Sequence, residues 1–450
     1  MTTKTPLPVA VIGAGPVGLA AAARLLERDL TPLVFERGAQ VGATIAEWAH
    51  VRVFSPWEFN VDAAARALLE AGGWQMPDPE YLPTGEELIR DYLAPLAAHP
   101  AIAPRLRLNA EVTAITRQDR SKLTSEGRED APFVIVWRDG AGTQHRTLAR
   151  AVIDASGTWV RPNLIGRDGL PAEGEVENAD RIAYGIPDVL GTERAEYEGR
   201  HTLVIGAGHS AINAALDLIE LQDQSPGTRI TWATRSGGID RLLGGGLNDA
   251  LPGRGLLGLR AAEALRNGRA TLLSPFTVHR LAAHGHALQV EGKAGDEDKR
   301  FDVDRIIVAT GFRPDLGMLS ELRLRLDPVV ETTPDLAPLI DPNLHSCGTV
   351  RPHGVVELAH PEKDFYIVGM KSYGRAPTFL MTTGYEQVRS VVAELAGDPV
   401  AAREVRLKLP ETGVCKTGPS LSAAARGLGG AAETACCGAP REAAPVACCA

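Results

Sequence analysis

Val9-Ala-Val-Ile-Gly13-Ala-Gly15-Pro-Val-Gly18 is the stretch that decides how this chain folds. Val9 to Ile12 are uninterrupted apolar residues, as expected of a short strand buried on both faces of a parallel sheet. Gly13, Gly15 and Gly18 follow at once, and Leu19 to Leu26 continue as an Ala/Leu-rich helix. Each glycine has its own task in a dinucleotide-binding turn. Gly13 makes the tight bend, Gly15 lets backbone approach a pyrophosphate, and Gly18 lets helix pack against strand. The helix start then presents free N–H groups and a partial positive charge to the phosphates. The next strand, Pro32 to Phe35, ends at Glu36, which is placed to accept from a ribose hydroxyl.

The same unit recurs about 190 residues later. Leu203 to Ile205 form the strand, Gly206-x-Gly208-x-x-Ala211 the turn, and Ile212 to Leu221 an apolar helix. Ser210 lies inside the turn, and His209 beside it reads as a packing or capping residue. The second strand, Arg229 to Ala233, ends in Thr234-Arg235-Ser236 with no acidic residue. A carboxylate there would repel a 2′-phosphate, whereas Arg235 attracts and brackets one, so this unit is expected to take NADPH over NADH.

Two further segments resemble each other. Val152-Ile-Asp-Ala-Ser-Gly157-Thr158 and Ile306-Ile-Val-Ala-Thr-Gly311-Phe312 are apolar strands ending in small-residue turns, each followed by Arg-Pro. They mark the crossings between a first domain and a second one inserted into it. Residues 121–130 and 292–300 are polar and read as hairpin tips. Gly244-Gly-Gly-Leu-Asn-Asp-Ala-Leu-Pro-Gly-Arg254 is a plain connection or a mobile cap. From about residue 410, Ala, Gly, Pro and Ser take over, and a packed fold is not expected. The fold class is therefore α/β, with two Rossmann-like domains and a disordered tail. The boundaries are 1–160 and 306–405 for a split first domain, 161–305 for the inserted one, and 406–450 for the tail.

Composition removes whole classes of function. The 450 residues are 44% hydrophobic and 23% charged, ordinary for a globular chain. Lys and Arg number 47 against 56 Asp and Glu, a formal charge of −9. An acidic chain without a basic run is not built for nucleic acid or an anionic membrane. Thr5 to Ala23 is uncharged but contains the glycine turn, and no apolar stretch reaches the ~18–20 residues of a membrane span. A cytoplasmic location is expected. Five of the six cysteines fall in the last 36 residues, which is not the distribution of a disulfide framework.

One site for each of two dinucleotides, with one domain inserted in the other, resembles the two-dinucleotide-binding flavoproteins. That resemblance implies FAD on the turn of Gly13, Gly15, Gly18 and Glu36, and NADPH on that of Gly206, Gly208, Ser210, Ala211 and Arg235. Gly311, Gly369 and Thr383 complete the implied cofactor contacts. Cys347 is the single cysteine before residue 415, so a flavin-linked cysteine pair of the C-x₂-C or C-x₄-C kind is excluded. Asp364-Phe-Tyr-Ile-Val-Gly369-Met370, Phe54-Ser-Pro-Trp-Glu58 and Pro83-Thr-Gly-Glu-Glu-Leu-Ile-Arg-Asp-Tyr92 look like segments of flavin-containing monooxygenases. Two features depart from that pattern. Phe54 stands where the family usually has Asn, and Tyr184 to Tyr197 has a Gly but no His of the class B fingerprint. The segment from Lys371 through Gly384 follows the last strand, and Lys371, Tyr373 and Arg375 are its candidates for polarising substrate or flavin. A loop position is expected for His353 and His360, which with Cys347 have spacing that would otherwise suggest a metal.

The tail places Cys436, Cys437, Cys448 and Cys449 within 14 residues. Thiolates are soft ligands for Cu(I) and Zn, and by the same softness for As(III) and Hg(II). The tail looks like those of flavoproteins encoded in bacterial arsenic-resistance operons, and its paired cysteines are similar to those of mercuric reductases. The expected function is an NADPH-dependent FAD oxidoreductase of monooxygenase type, acting with O₂ on a small-molecule or metalloid substrate such as a trivalent arsenical. A reductase or oxidase of a soft metal without oxygen insertion is the alternative. A metalloid sensor or carrier with a structural flavin is a third reading. A homodimer is left open.

Overall fold

A computed structural model describes residues 6–235, 249, 251–344, 350–377 and 379–407. The first glycine unit forms as its pattern dictates. Strand β1 (Val9–Ile12) is buried throughout, and helix α1 (Pro16–Glu27) starts on a proline whose missing N–H costs the helix nothing at that position. Strand β2 (Pro32–Phe35) pairs parallel to β1. Helix α2 (Ala63–Ala71) is capped by Asp62, whose carboxylate accepts from the amides of Ala64 and Ala65. Strand β3 (Leu106–Arg107) adds to the edge beside β2.

A three-stranded antiparallel meander follows, made of β4 (Glu111–Arg117), β5 (Phe133–Arg138) and β6 (Gln144–Ala149). It leads into β7 (Ala151–Asp154), which returns to pair parallel with β1 on the side away from β2. The polar residues 121–130 connect β4 to β5, as expected of a hairpin tip.

The second half repeats this plan. After β8 (Ile182–Tyr184) come β9 (His201–Ile205), helix α3 (His209–Gln224), β10 (Arg229–Ala233), helix α4 (Pro252–Arg266) and β11 (Thr271–Leu273). A second meander, β12 (Thr277–His284), β13 (Ala287–Ala294) and β14 (Glu297–Val303), leads into β15 (Arg305–Val308). Residues 292–300 are therefore mostly paired strand, and only the turn between Ala294 and Glu297 is a tip. Strand β16 (Phe365–Ile367) joins the first sheet, helix α5 (Met381–Leu395) follows, and a short helix, Pro399–Arg403, ends the described fold.

The two parallel sheets run β16-β7-β1-β2-β3 and β11-β10-β9-β15-β8. In each, the strand before the glycine turn is flanked by its own second strand and by the strand that leaves the meander. The strand at the expected return crossing, β15, lies in the second sheet, so the chain goes back to the first sheet only after Val308. The crossings themselves run side by side. Asn163 N donates to Gly311 O and Arg313 N to Arg161 O, both at 2.9 Å, and Pro162 bridges Phe312 antiparallel. Trp159 stacks on Phe312 with ring centres 4.3 Å apart, and Trp48 leans against Trp159 at 6.4 Å.

Small residues bring the layers of the first unit together. Ala20 to Ala23 of α1 are all buried against the sheet and neighbouring helices. Gly384 of α5 lies so close to α1 that a Cβ there would sit 2.6 Å from Val17. Among the described residues, no helix is long and apolar enough to cross a membrane.

Candidate functional site

The carboxyl ends of adjacent parallel strands open crevices where ligands bind in such sheets. Here the crevice of the first sheet lies between the turn after β1 and the turn after β7. Gly13 has φ +97°, and a Cβ on it would fall 2.8 Å from the carbonyl of Ala155. A Cβ on Gly18 would fall 1.9 Å from Gly13 O, so these two glycines are demanded by the protein's own packing. Gly15 differs. Nothing lies within 4 Å of a Cβ built on it, so its missing side chain leaves open space in front of the helix. Helix α1 has no side-chain cap and no acidic residue in its first turn, so its amides and positive end remain available for an anion.

Glu36 ends β2 and is 8% exposed. Its Oε2 accepts from Ala14 N and its Oε1 from Gly38 N, both at 2.8 Å. A carboxylate offers about four acceptor positions, so the two oxygens holding the turn keep capacity for a ribose. Open space, free amides and a fixed carboxylate together fit an adenine dinucleotide such as FAD.

The second turn repeats the arrangement atom for atom at its tightest point. Gly206 has φ +142°, and a Cβ on it would fall 2.3 Å from Ala309 O, as Gly13 stands to Ala155. Gly208 faces open space and is the N-cap of α3, again without a side-chain cap or an acidic first turn. Ser210 and Ala211 lie in that first turn. Arg235 follows β10 with its side chain exposed, as a 2′-phosphate partner needs to be. These residues fit NADPH.

The three candidates for polarising groups are dispersed. Lys371 is buried, its Nζ 2.8 Å from Asp154 Oδ2 and 3.0 Å from Ser156 Oγ. Its charge is paired at the end of β7. Tyr373 packs edge-on to Phe379 at 5.0 Å and beside His353 at 5.6 Å, and burial pushes its phenol well up. Arg375 is exposed, 3.8 Å from Glu331. Gly369 (φ +69°) closes on Val17, and its amide donates to Gln387 Oε1 at 2.8 Å. Thr383 is buried in the first turn of α5, and Gly311 lies exposed at the crossing beside Asn163.

The loop from Gly244 is described only at Asp249 and from Leu251, where Asp249 and Arg254 form an ion pair at 2.7 Å. The remainder of that loop lies outside the described residues. So do Cys347, Cys436, Cys437, Cys448 and Cys449. Among the described residues, no group of three His, Cys, Asp or Glu side chains could hold a metal. His353 shares its Nε2 with Gln387 at 2.9 Å, and burial lowers its basicity.

Residues 10–348 match the family described as pyridine nucleotide-disulphide oxidoreductase, three quarters of the chain. The chain belongs to that family. This pyridine nucleotide-disulphide oxidoreductase family member is an enzyme of redox chemistry, and the expected pair of FAD and NADPH agrees with it. Over 238 residues it is 26% identical to dimethylaniline monooxygenase (N-oxide-forming) 4 of Mus musculus, covering 51% of this chain and 38% of the relative. The match thus spans well under half the length of that curated relative. The fold is similar to bacillithiol disulfide reductase from Bacillus cereus (18% identity, TM-score 0.64, 87% of this chain and 99% of that one). It is also similar to the cadaverine monooxygenase of desferrioxamine biosynthesis from Erwinia amylovora (14% identity, TM-score 0.59, 90% and 99%).

Sequence reasoning missed three participants of the site. Asp154 was visible as the one charged residue of an otherwise apolar strand. Gln387, which ties Gly369, Ser372 and His353 together, carries no local signal. Neither does the contact of Phe54 with His209, ring centres 4.9 Å apart, which joins the first unit to the second turn.

Proposed function

We propose that the protein is an FAD- and NADPH-dependent monooxygenase of a small soft substrate, a trivalent arsenical foremost. The observation that carries the redox part is the pair of equivalent turns, each with open space at its middle glycine and an uncapped helix behind it. The absence of any cysteine pair before residue 415 favours a diffusible acceptor over a protein dithiol. The substrate class is supported by Cys436, Cys437, Cys448 and Cys449, whose thiolates suit As(III).

Bound FAD would supply two-electron reduction by NADPH and passage of those electrons to O₂. The chain's own part is to hold and orient. Glu36 anchors the first turn, the amides around Gly15 and Gly208 receive pyrophosphates, and Arg235 selects the phosphorylated nucleotide. The Asp154–Lys371–Ser156 cluster fixes the turn after β7 to the segment that follows β16. The balance is one O₂, one NADPH and one proton to one oxygenated product, NADP⁺ and water. For As(III), the product is As(V) with one new bond to oxygen.

A second reading is a reductase or oxidase that inserts no oxygen. It is favoured by Phe54 and by the missing fingerprint His, both departures from the monooxygenase pattern. The deciding experiment incubates the holoprotein with NADPH, As(III) and ¹⁸O₂. Labelled arsenate equal to the NADPH consumed supports the proposal. Peroxide equal to the NADPH consumed, with As(III) unchanged, overturns it. Removing residues 411–450 tests the tail, and unchanged As(III) turnover and binding would dismiss its role.

A further inference from the structure

His209 is the first residue of α3, directly after Gly208, at the turn assigned above to NADPH. His209 is exposed as a residue, but its ring lies close enough to its neighbours that burial lowers its basicity, and no hydrogen bond to another described residue holds it. Phe54 supplies its ring contact, at 4.9 Å and a tilt of 48°. The Asp249–Arg254 ion pair stands beside it.

Phe54 itself is firmly placed, and by the first unit. The adjacent Ser55 Oγ donates to Asn60 Oδ1, and Asn60 Nδ2 donates back to Ser55 O, both at 2.7 Å and buried. Asn60 O in turn accepts from Tyr385 Oη of α5 at 2.7 Å. Across the junction, α4 approaches so closely that a Cβ on Gly253 would lie 3.2 Å from Phe54 O. A rigid support in one unit therefore ends in an aromatic ring packed on an imidazole of the other that no hydrogen bond holds.

We infer that Phe54 is a positioning residue for the second dinucleotide, acting through His209. It fixes the imidazole at the mouth of the turn, so that the pyrophosphate and nicotinamide end is received in one orientation while the 2′-phosphate end remains the business of Arg235. The inference rests on the assignment of this turn to NADPH.

The test is calorimetric binding of NADP⁺ and of adenosine 2′,5′-bisphosphate, which lacks the nicotinamide half, to the holoprotein. Phe54→Ala and His209→Ala should each weaken NADP⁺ about fivefold to tenfold, as expected for loss of an aromatic contact of ~1 kcal/mol. The double variant should be no weaker than the weaker single, because both remove the same contact. Phe54→Tyr should restore affinity, and adenosine 2′,5′-bisphosphate should bind all variants equally. Phe54→Leu replaces Phe54→Ala should the latter lose its thermal transition. An NADP⁺ affinity within twofold of the parent, multiplicative losses in the double variant, or equal weakening of both ligands would overturn the inference. A parent protein that binds neither ligand would overturn the NADPH assignment along with it.

Discussion

Lys371 Nζ lies 2.8 Å from Asp154 Oδ2, with only 2% and 0% of the two side chains exposed. Such a pair returns little net stability compared with apolar residues, but breaking it leaves a buried charge unmatched. Lys371→Met should therefore cost about 3–5 kcal/mol in urea unfolding. Arg375→Ala, four residues on and exposed, should change stability by less than about 0.5 kcal/mol. Equal effects would mean that Lys371 is not held as described.

The glycines of the first turn should separate folding from binding. Gly18→Ala places a Cβ 1.9 Å from Gly13 O and should prevent the unit from folding in soluble form. Gly15→Val points into open space, so the apo-protein should keep its far-ultraviolet circular dichroism and its thermal midpoint within a few degrees. Its flavin content after purification should fall at least tenfold. Full flavin occupancy in Gly15→Val would remove the pyrophosphate from that space.

Arg235→Ala tests nucleotide choice. A charge-assisted contact to the 2′-phosphate is worth about 1.5–3 kcal/mol, which is roughly tenfold to a hundredfold in KM. The loss should fall on NADPH alone, with KM for NADH unchanged.

Asp217 on α3 gives a pH signature. Burial, then the negative charge of Glu220, and further that of Asp188, push its carboxyl up to about 7, against the pull of Arg260. Unfolded, it titrates near ~3.9. The folded state thus holds this proton more tightly, so its contribution to stability is present below about pH 4 and is withdrawn as pH rises through about 7. Asp217→Asn should match the parent protein near pH 4 and exceed it by ~1–2 kcal/mol at pH 8, a value reduced from ~1.4 kcal/mol per unit because water reaches part of the side chain. A difference that does not change with pH would refute the shift.

Much of the architecture was legible because dinucleotide turns tie conformation to local residue type. The strands Pro32–Phe35 and Arg229–Ala233 stand as read, and the paired small-residue segments became β7 and β15 beside the two turn strands. Local pattern failed where a side chain's partner is remote in sequence. Nothing in the segment around Lys371 announces its ion-pair partner Asp154, which is more than two hundred residues away. Residues 292–300 differ from the expected tip because Lys293, Glu297 and Lys299 are polar strand residues facing solvent, and polarity alone cannot separate a wet strand from a turn.

The antiparallel strap between residues 161–163 and 311–313 has an evolutionary corollary. Entry and exit of the intervening polypeptide are neighbours in space, so the first sheet sees that whole stretch as one surface loop. A cassette held in this way can change without rewriting the sheet that carries it, as long as its contacts with Phe54 are kept. The equivalent approach of Gly13 to the Ala155 carbonyl and of Gly206 to the Ala309 carbonyl is what an ancestral copying event would leave behind.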